Sequence, residues 1–330
     1  MSDLSAMQPV QPLVDGLLYR DTLAQISGAP GSYKSFVTLG MACSVAIGQS
    51  WEGHHVPTAG PVVYCAAEGA TGLRPRILAW CEMTGVDPAA LDGMLHVLPI
   101  GVQLGSIVDV SDAVDIVQEL GAVLLVLDTR ARCTLGLEEN SATEQGKAIS
   151  AIERIQDAAQ CTVLAVHHSA KGGTGGRGSS AWDGAVWSDL RVSSEGRLCT
   201  IHCGKHKDVE DGCNHEFKMV AHTVSEALMP GCSETQRSSL VAVQMDMRKN
   251  DLDSAPSVRQ VAEIVRKTDS PEGLTRTQIV DLCTDAGIGK TAAYSAVKAL
   301  ITRGELVNVG TEKRARYVSQ TPHIPEGQAS

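Results

Sequence analysis

Aromatic side chains are scarce: they make up 3% of the 330 residues, with two phenylalanines and four tryptophans. A core of this composition must rest on Val, Leu, Ile and Ala, which suits a parallel sheet buried on both faces. Long apolar runs are missing too. No stretch approaches the roughly 18 residues a membrane helix needs, so no membrane partner is expected. The opening MSDLSAMQPVQP has no basic segment followed by an apolar one, so no secretory leader is expected. The ten cysteines form no C-x-x-C pair, and Cys43, Cys65 and Cys161 sit inside apolar runs. This usage reads as buried thiols of a cytoplasmic protein. Cys199, His202, Cys203, His206, Cys213 and His215 lie close in sequence, but their spacings match no familiar zinc pattern. Paired strands that carry Cys and His are the favoured reading over a zinc site.

Charge is present but uneven. The net charge is −10. Residues 255–320 hold 10 basic and 7 acidic side chains, and the rest of the chain holds 18 and 31. A basic module on an acidic body points to nucleic acid at the tail. The length suits about two domains of 100–200 residues each.

Apolar runs of strand length alternate with helical patterns through the first half. Leu23 to Ser27 leads into a glycine loop, and Lys34 to Gly48 is a helix apolar nearly all round. Pro61 to Ala67 reads as a strand, Leu73 to Thr84 as a helix and Met94 to Ile100 as a short strand. Val110 to Leu120 reads as a helix and Ala122 to Leu127 as a strand. Ser141 and Glu144 form a capping-box pattern at the head of a helix reaching Ala159, and Thr162 to Val166 is the next strand. This alternation implies right-handed β-α-β units and a mostly parallel central sheet.

After His168 the texture changes. SAKGGTGGRGSS reads as a glycine-rich loop. Asp189–Ser193, Arg197–Cys203, Glu216–Thr223 and Leu240–Met245 read as antiparallel strands. The expected organisation is a P-loop core over residues 1–245, a linker over 246–256, a second module over 257–320 and a tail over 321–330. In the second module, helices are expected over Val258–Thr268, Thr275–Ala286 and Lys290–Arg303. A turn at Gly287-Ile288-Gly289 joins the last two. A hairpin with a basic tip then completes a winged helix-turn-helix.

The loop before the first long helix is GAPGSYKSF: Gly28, Ala29, Pro30, Gly31, Ser32, Tyr33, Lys34, Ser35 and Phe36. It follows G-x-x-x-x-G-K-[ST] except that Tyr33 stands where the second glycine is usual. In a strand–loop–helix setting, Gly28 and Gly31 let the backbone approach phosphates and the helix amides donate to them. Lys34 reaches the β- and γ-phosphates, and the Ser35 hydroxyl suits Mg²⁺. Tyr33 is expected to take a backbone conformation that a bulky residue tolerates. AVLLVLD ends on Asp128, the expected second metal contact. YCAAE ends on Glu68, a carboxylate placed either to activate water or simply to meet solvent. ATP and Mg²⁺ are the implied cofactors.

In order, GAPGSYKS, VVYCAAEG, LLVLDTRAR, VLAVHH, RGSSA and GKHKD resemble the RecA-like hexameric helicase ATPases, especially the plasmid RepA-type group. The likeness covers about Leu23 to Val220. It implies a RecA-like α/β P-loop NTPase core, a catalytic role for Glu68 and a Walker B role for Asp128. It also implies a polar sensor at His167 or His168 and a DNA-facing glycine-rich loop. Lys205 and Lys207 would act on a neighbouring subunit's γ-phosphate. A lysine there departs from the commoner arginine and lacks its bidentate fork.

Lys171 and Arg177 on the glycine-rich loop suit DNA phosphates, as do Arg130 and Arg132 after Asp128. On the third helix of the tail, Lys290, Thr291, Tyr294, Ser295 and Lys298 fall on one face, which is recognition-helix chemistry, although such folds also dock proteins. The expectation is a ring-forming ATPase that translocates on single-stranded DNA, with a homohexamer and a primase or loader as partners. Its rivals are an ATPase that loads or remodels DNA without unwinding, and an ATP-switched DNA-binding regulator.

Overall fold

The computed structural model describes residues 9–169, 180–244, 261, 264–268, 273–302, 306–311 and 315–319. The chain forms two compact units, residues 1–244 and 245–330.

In the first unit a small hairpin of β1 (Pro12–Val14) and β2 (Leu18–Tyr19) precedes β3 (Leu23–Gly28), and α1 (Lys34–Ile47) follows β3. Next come β4 (Val62–Ala66), α2 (Leu73–Thr84), β5 (Leu95–Leu98), α3 (Ile107–Leu120) and β6 (Leu124–Asp128). A one-turn α4 (Arg130–Cys133) leads to α5 (Ala142–Ala159) and β7 (Thr162–His168). The short α6 (Ala181–Ala185) precedes β8 (Ser188–Glu195), β9 (Leu198–His206) and β10 (Asn214–Thr223). A one-turn α7 (Glu234–Arg237) and β11 (Ser238–Gln244) complete the unit.

Nine of these strands form one sheet in the order β11-β10-β9-β8-β3-β7-β6-β4-β5. It is parallel from β8 to β5 and antiparallel from β8 to β11. The central runs are apolar throughout because both faces are covered. Leu124 and Val126 of β6 join the core under α1 and α2, while Leu125 and Leu127 join the core under α3 and α5. The period of two along a strand makes this split.

Two expectations need correction. Asp189–Ser193 was expected to be antiparallel to its neighbours, but β8 runs parallel to β3 and antiparallel only to β9. β8 lies on the far side of β3 from β7, and a parallel strand so placed requires a crossover connection. The helix expected from Val110 starts at Ile107. Ser106 caps it by accepting from the Asp109 amide, and the exposed Ile107 and Val108 hid that first turn from the apolar pattern. The hairpin of β1 and β2 has too few residues to leave a periodic signal.

In the second unit, α8 (Arg276–Asp285) opens with a capping box between Thr275 and Gln278. A turn at Gly287, with φ +87°, leads to α9 (Lys290–Thr302). A two-stranded sheet follows, β12 (Leu306–Asn308) against β13 (Tyr317–Ser319). Val261, Val265, Ile279, Val280, Ala293, Val297 and Leu300 share its core. Of the helix expected over Val258–Thr268, residues 261 and 264–267 are helical. The linker at 246–256, the hairpin tip at 312–314 and the tail at 321–330 lie outside the described residues. Among the described residues no helix is long and apolar enough to cross a membrane.

Candidate nucleotide site

The site is built where β3 ends and α1 begins. Gly28 is the last residue of β3, and a Cβ there would lie 2.3 Å from the Val192 carbonyl and 2.8 Å from Ser32 Oγ. Only glycine fits. Ala29, Pro30 and Gly31 are exposed, with Gly31 at φ +80°, and Ser32 is buried. Tyr33 is the N-cap of α1 at φ 69°, ψ 13°. The tyrosine therefore does not avoid glycine's conformation, as its bulk had suggested; it adopts it, at a cost of about 1–2 kcal/mol for an L-residue.

Lys34 is 4% exposed, and its Nζ donates to the carbonyls of Gly28 at 2.9 Å and Ala29 at 2.8 Å. Burial lowers its pKa to about 8, against an opposing pull from the Asp128 charge. The loop thus encloses a cation that faces its own backbone oxygens.

Asp128, at the end of β6, is 4% exposed and accepts from the Tyr64 hydroxyl at 2.6 Å. Burial raises its pKa. The hydrogen bond from Tyr64, the nearby Ser35 hydroxyl and the charge of Arg76 oppose that rise, and Glu68 adds to it. Asp128 and Ser35, the two expected metal contacts, therefore lie close enough for the serine to help hold the carboxyl's pKa down. The Ala67 amide donates to the Asp128 carbonyl at 2.8 Å, extending the β4–β6 pairing and bringing Glu68 beside the aspartate.

These residues fit a nucleoside triphosphate with a divalent cation. A cradle closed to any Cβ, amides at a helix start, a buried lysine and two oxygen donors converge on one point. The bound cation would draw charge from the phosphates, and Glu68 would be the candidate carboxylate to activate water.

A family model of the AAA domain matches residues 2–174. The chain belongs to this family of P-loop ATPases. No curated protein matches it.

The groups around the phosphate loop of this AAA domain fall into distinct settings. Glu68, 40% exposed, accepts from Arg132 Nε at 2.8 Å, and its other oxygen lies 4.0 Å from His168 Nε2. Arg132, expected to face DNA, thus also holds the candidate base. Of the two candidate sensors, His168 faces Glu68. His167 is 2% exposed and lies 2.8 Å from a guanidinium nitrogen of Arg130. Arg130 is buried over the Trp182 ring at 4.4 Å and donates to Gln25, so it does not form the second DNA-facing loop expected of it. Burial lowers its pKa to about 10, with Glu139 and Asp183 opposing.

Lys205 and Lys207 lie near the end of β9, and the topology sets them far from Lys34. Gly28 pairs with Val192, whereas Lys205 pairs with Asp189. That is three residues along the strand, about 10 Å, toward the rim formed by the opposite strand ends. Lys205 Nζ donates to the Asp183 carbonyl at 2.6 Å, and Lys207 Nζ to that of Ala185 at 3.4 Å.

On α9, Lys290, Tyr294 and Lys298 are exposed one turn apart, and Thr291 is in the same helix. Lys171 and Arg177 lie outside the described residues. Cys199, His202, Cys203 and His206 are on β9, and His215 is on β10. Among the described residues no group of three His, Cys, Asp or Glu is placed to hold a metal.

Sequence reasoning missed Tyr64 and Arg76. Arg76 lies 4.5 Å over the Phe36 ring, and its charge is felt at both Asp128 and Tyr64. No motif announces either residue, though Arg76 follows Glu68 into the start of α2.

Proposed function

We propose that the chain is a ring-forming ATPase of the RecA-like, plasmid RepA type that moves along single-stranded DNA. One observation carries the reading: the phosphate loop with Asp128 stands at one end of the strands, and Lys205 and Lys207 stand toward the other. Lysines so placed are poorly sited to serve their own nucleotide. In a ring, each would reach the γ-phosphate held by a neighbour. The second unit, a helix-turn-helix followed by a two-stranded hairpin, is read as a winged helix that presents Lys290, Tyr294 and Lys298 to DNA. Arg132, Lys171 and Arg177 would meet the strand in the ring's channel.

Native mass with and without ATP and oligo-dT, together with ATP turnover, tests this. The expected outcome is a hexamer favoured by ATP, hydrolysis stimulated by oligo-dT and loss of ATP binding in Lys34→Ala. A monomer whose slow turnover ignores oligo-dT would instead mark an ATP-switched regulator.

A further inference from the structure

The residue before α1 is where a phosphate loop usually carries glycine, and its φ of 69° shows why. A tyrosine there bears backbone strain, so its side chain must return something. Three contacts join this loop to the β8–β9 hairpin. The Gly28 Cα lies against the Val192 carbonyl, close enough to exclude a Cβ. Cys199 Sγ donates to the Ser32 carbonyl at 3.8 Å. The Tyr33 hydroxyl donates to the Gly196 carbonyl at 2.8 Å, across 163 residues of sequence. The first two contacts are on the paired body of the hairpin. The third is at its tip, where Gly196 is exposed at φ +57°. The phenol ring is also braced edge-on by Phe36, with ring centroids 6.3 Å apart. Glycine at position 33 would supply the backbone conformation and none of this tether.

We propose that Tyr33 is a positioning residue that ties the phosphate loop to the tip of the β8–β9 hairpin, so that phosphates entering the loop also order the tip. The inference rests on the nucleotide reading of the loop and goes beyond it. The hairpin that Tyr33 fastens is the one whose far end carries Lys205 and Lys207. The strand pair that presents those lysines therefore responds to the occupancy of its own subunit's loop. Tyr33 itself touches no reacting atom. Its backbone supplies the turn, and its hydroxyl supplies the link.

Two variants of the full chain separate a tether from tolerated strain. Tyr33→Phe keeps the ring and the strained backbone and loses only the donor. Tyr33→Gly loses the tether and relieves the strain. Hydrogen exchange with and without Mg-ATP, over residues 28–36 and 194–198, is the readout. A fluorescent ATP analogue gives the affinity. In the unaltered chain, ATP should slow exchange in both segments. Tyr33→Phe should keep the protection of 28–36, lose that of 194–198 and bind about 3–10-fold more weakly, the worth of one hydrogen bond. Tyr33→Gly should lose the protection of 194–198 as well. Full ATP-dependent protection of 194–198 in Tyr33→Phe, or undiminished affinity in Tyr33→Gly, would overturn the tether. If ATP protects neither segment in the unaltered chain, the nucleotide reading itself falls, and the tether with it.

Discussion

The two rims of the central sheet, formed by opposite strand ends and here called the loop edge and the β9 edge, hold their charged groups in different ways. At the loop edge Lys34 is enclosed by backbone oxygens, and Asp128 is buried and hydrogen-bonded to Tyr64. At the β9 edge, Lys205 and Lys207 donate to single backbone carbonyls near α6. The loop edge is preorganised: its groups are fixed before any ligand arrives, and burial strengthens their fields. The β9 edge is provisional. A neutral carbonyl is a weaker partner than a phosphate for an ammonium, so these lysines can be drawn away by an incoming anion. Fixed chemistry at one edge and releasable charge at the other suit a site completed by a second copy.

The comparison is broken most severely at the loop edge. Glu68→Gln should keep ATP binding and slow hydrolysis roughly 10²–10⁴-fold, the usual worth of a positioned base. Steady-state turnover beside a binding titration checks this, and near-normal turnover would return Glu68 to a plain partner of Arg132.

Lys207→Ala should slow turnover less than the about 10³–10⁵-fold known for arginine fingers, because lysine lacks the fork. Mixing it with Glu68→Gln subunits sharpens the contrast between the edges. A mixed ring has interfaces where an intact Glu68 meets an intact Lys207, so part of the activity should return. No recovery, with mixed oligomers seen by native mass, would place the lysine's action within its own chain or nowhere.

Gly28→Ala tests the fixed edge alone. With its Cβ 2.3 Å from the Val192 carbonyl, the loop or β8 must shift, and the chain should lose about 1–3 kcal/mol in urea unfolding. Undiminished stability would mean that the cradle is looser than its geometry implies.

The smallest effect is a pH trend of two signs. Lys34 has a pKa of about 8 in the folded chain, below its ordinary value of 10.5. The unfolded chain therefore binds the extra proton between those values, and this group's contribution to stability should rise with pH across that window. ATP affinity should move oppositely. Phosphate prefers the charged lysine, so the dissociation constant should climb above pH 8 by at most about tenfold per pH unit. In Lys34→Arg, which stays charged, the climb should vanish. An identical climb in that variant would assign the titration to another group.

Much of the core was legible because its signals are local. AVLLVLD announces a strand buried on both faces and ending on a carboxylate, and β6 is that strand. Ser141 announces a helix start, and its side chain accepts from the Glu144 amide. Less of the site was legible. Arg130 and Arg132 look alike in sequence, yet one is buried beneath Trp182 and the other pairs with Glu68 in solvent. Two residues along a helical turn point to opposite sides, and what waits on each side comes from β3, β4 and β7.

By itself the sequence determined the alternation of strands and helices, the phosphate loop with its lysine and serine, and the carboxylates at strand ends. Each follows from spacing and side-chain type over a few residues. Only the tertiary structure decided that Tyr33 takes glycine's conformation and reaches Gly196, that Arg76 stands by Asp128, and that Lys205 and Lys207 lie away from their own loop. The reason is direction. Whether a strand enters the sheet parallel or antiparallel is set by the connection that precedes it, and reversing one strand exchanges the ends at which its terminal residues stand.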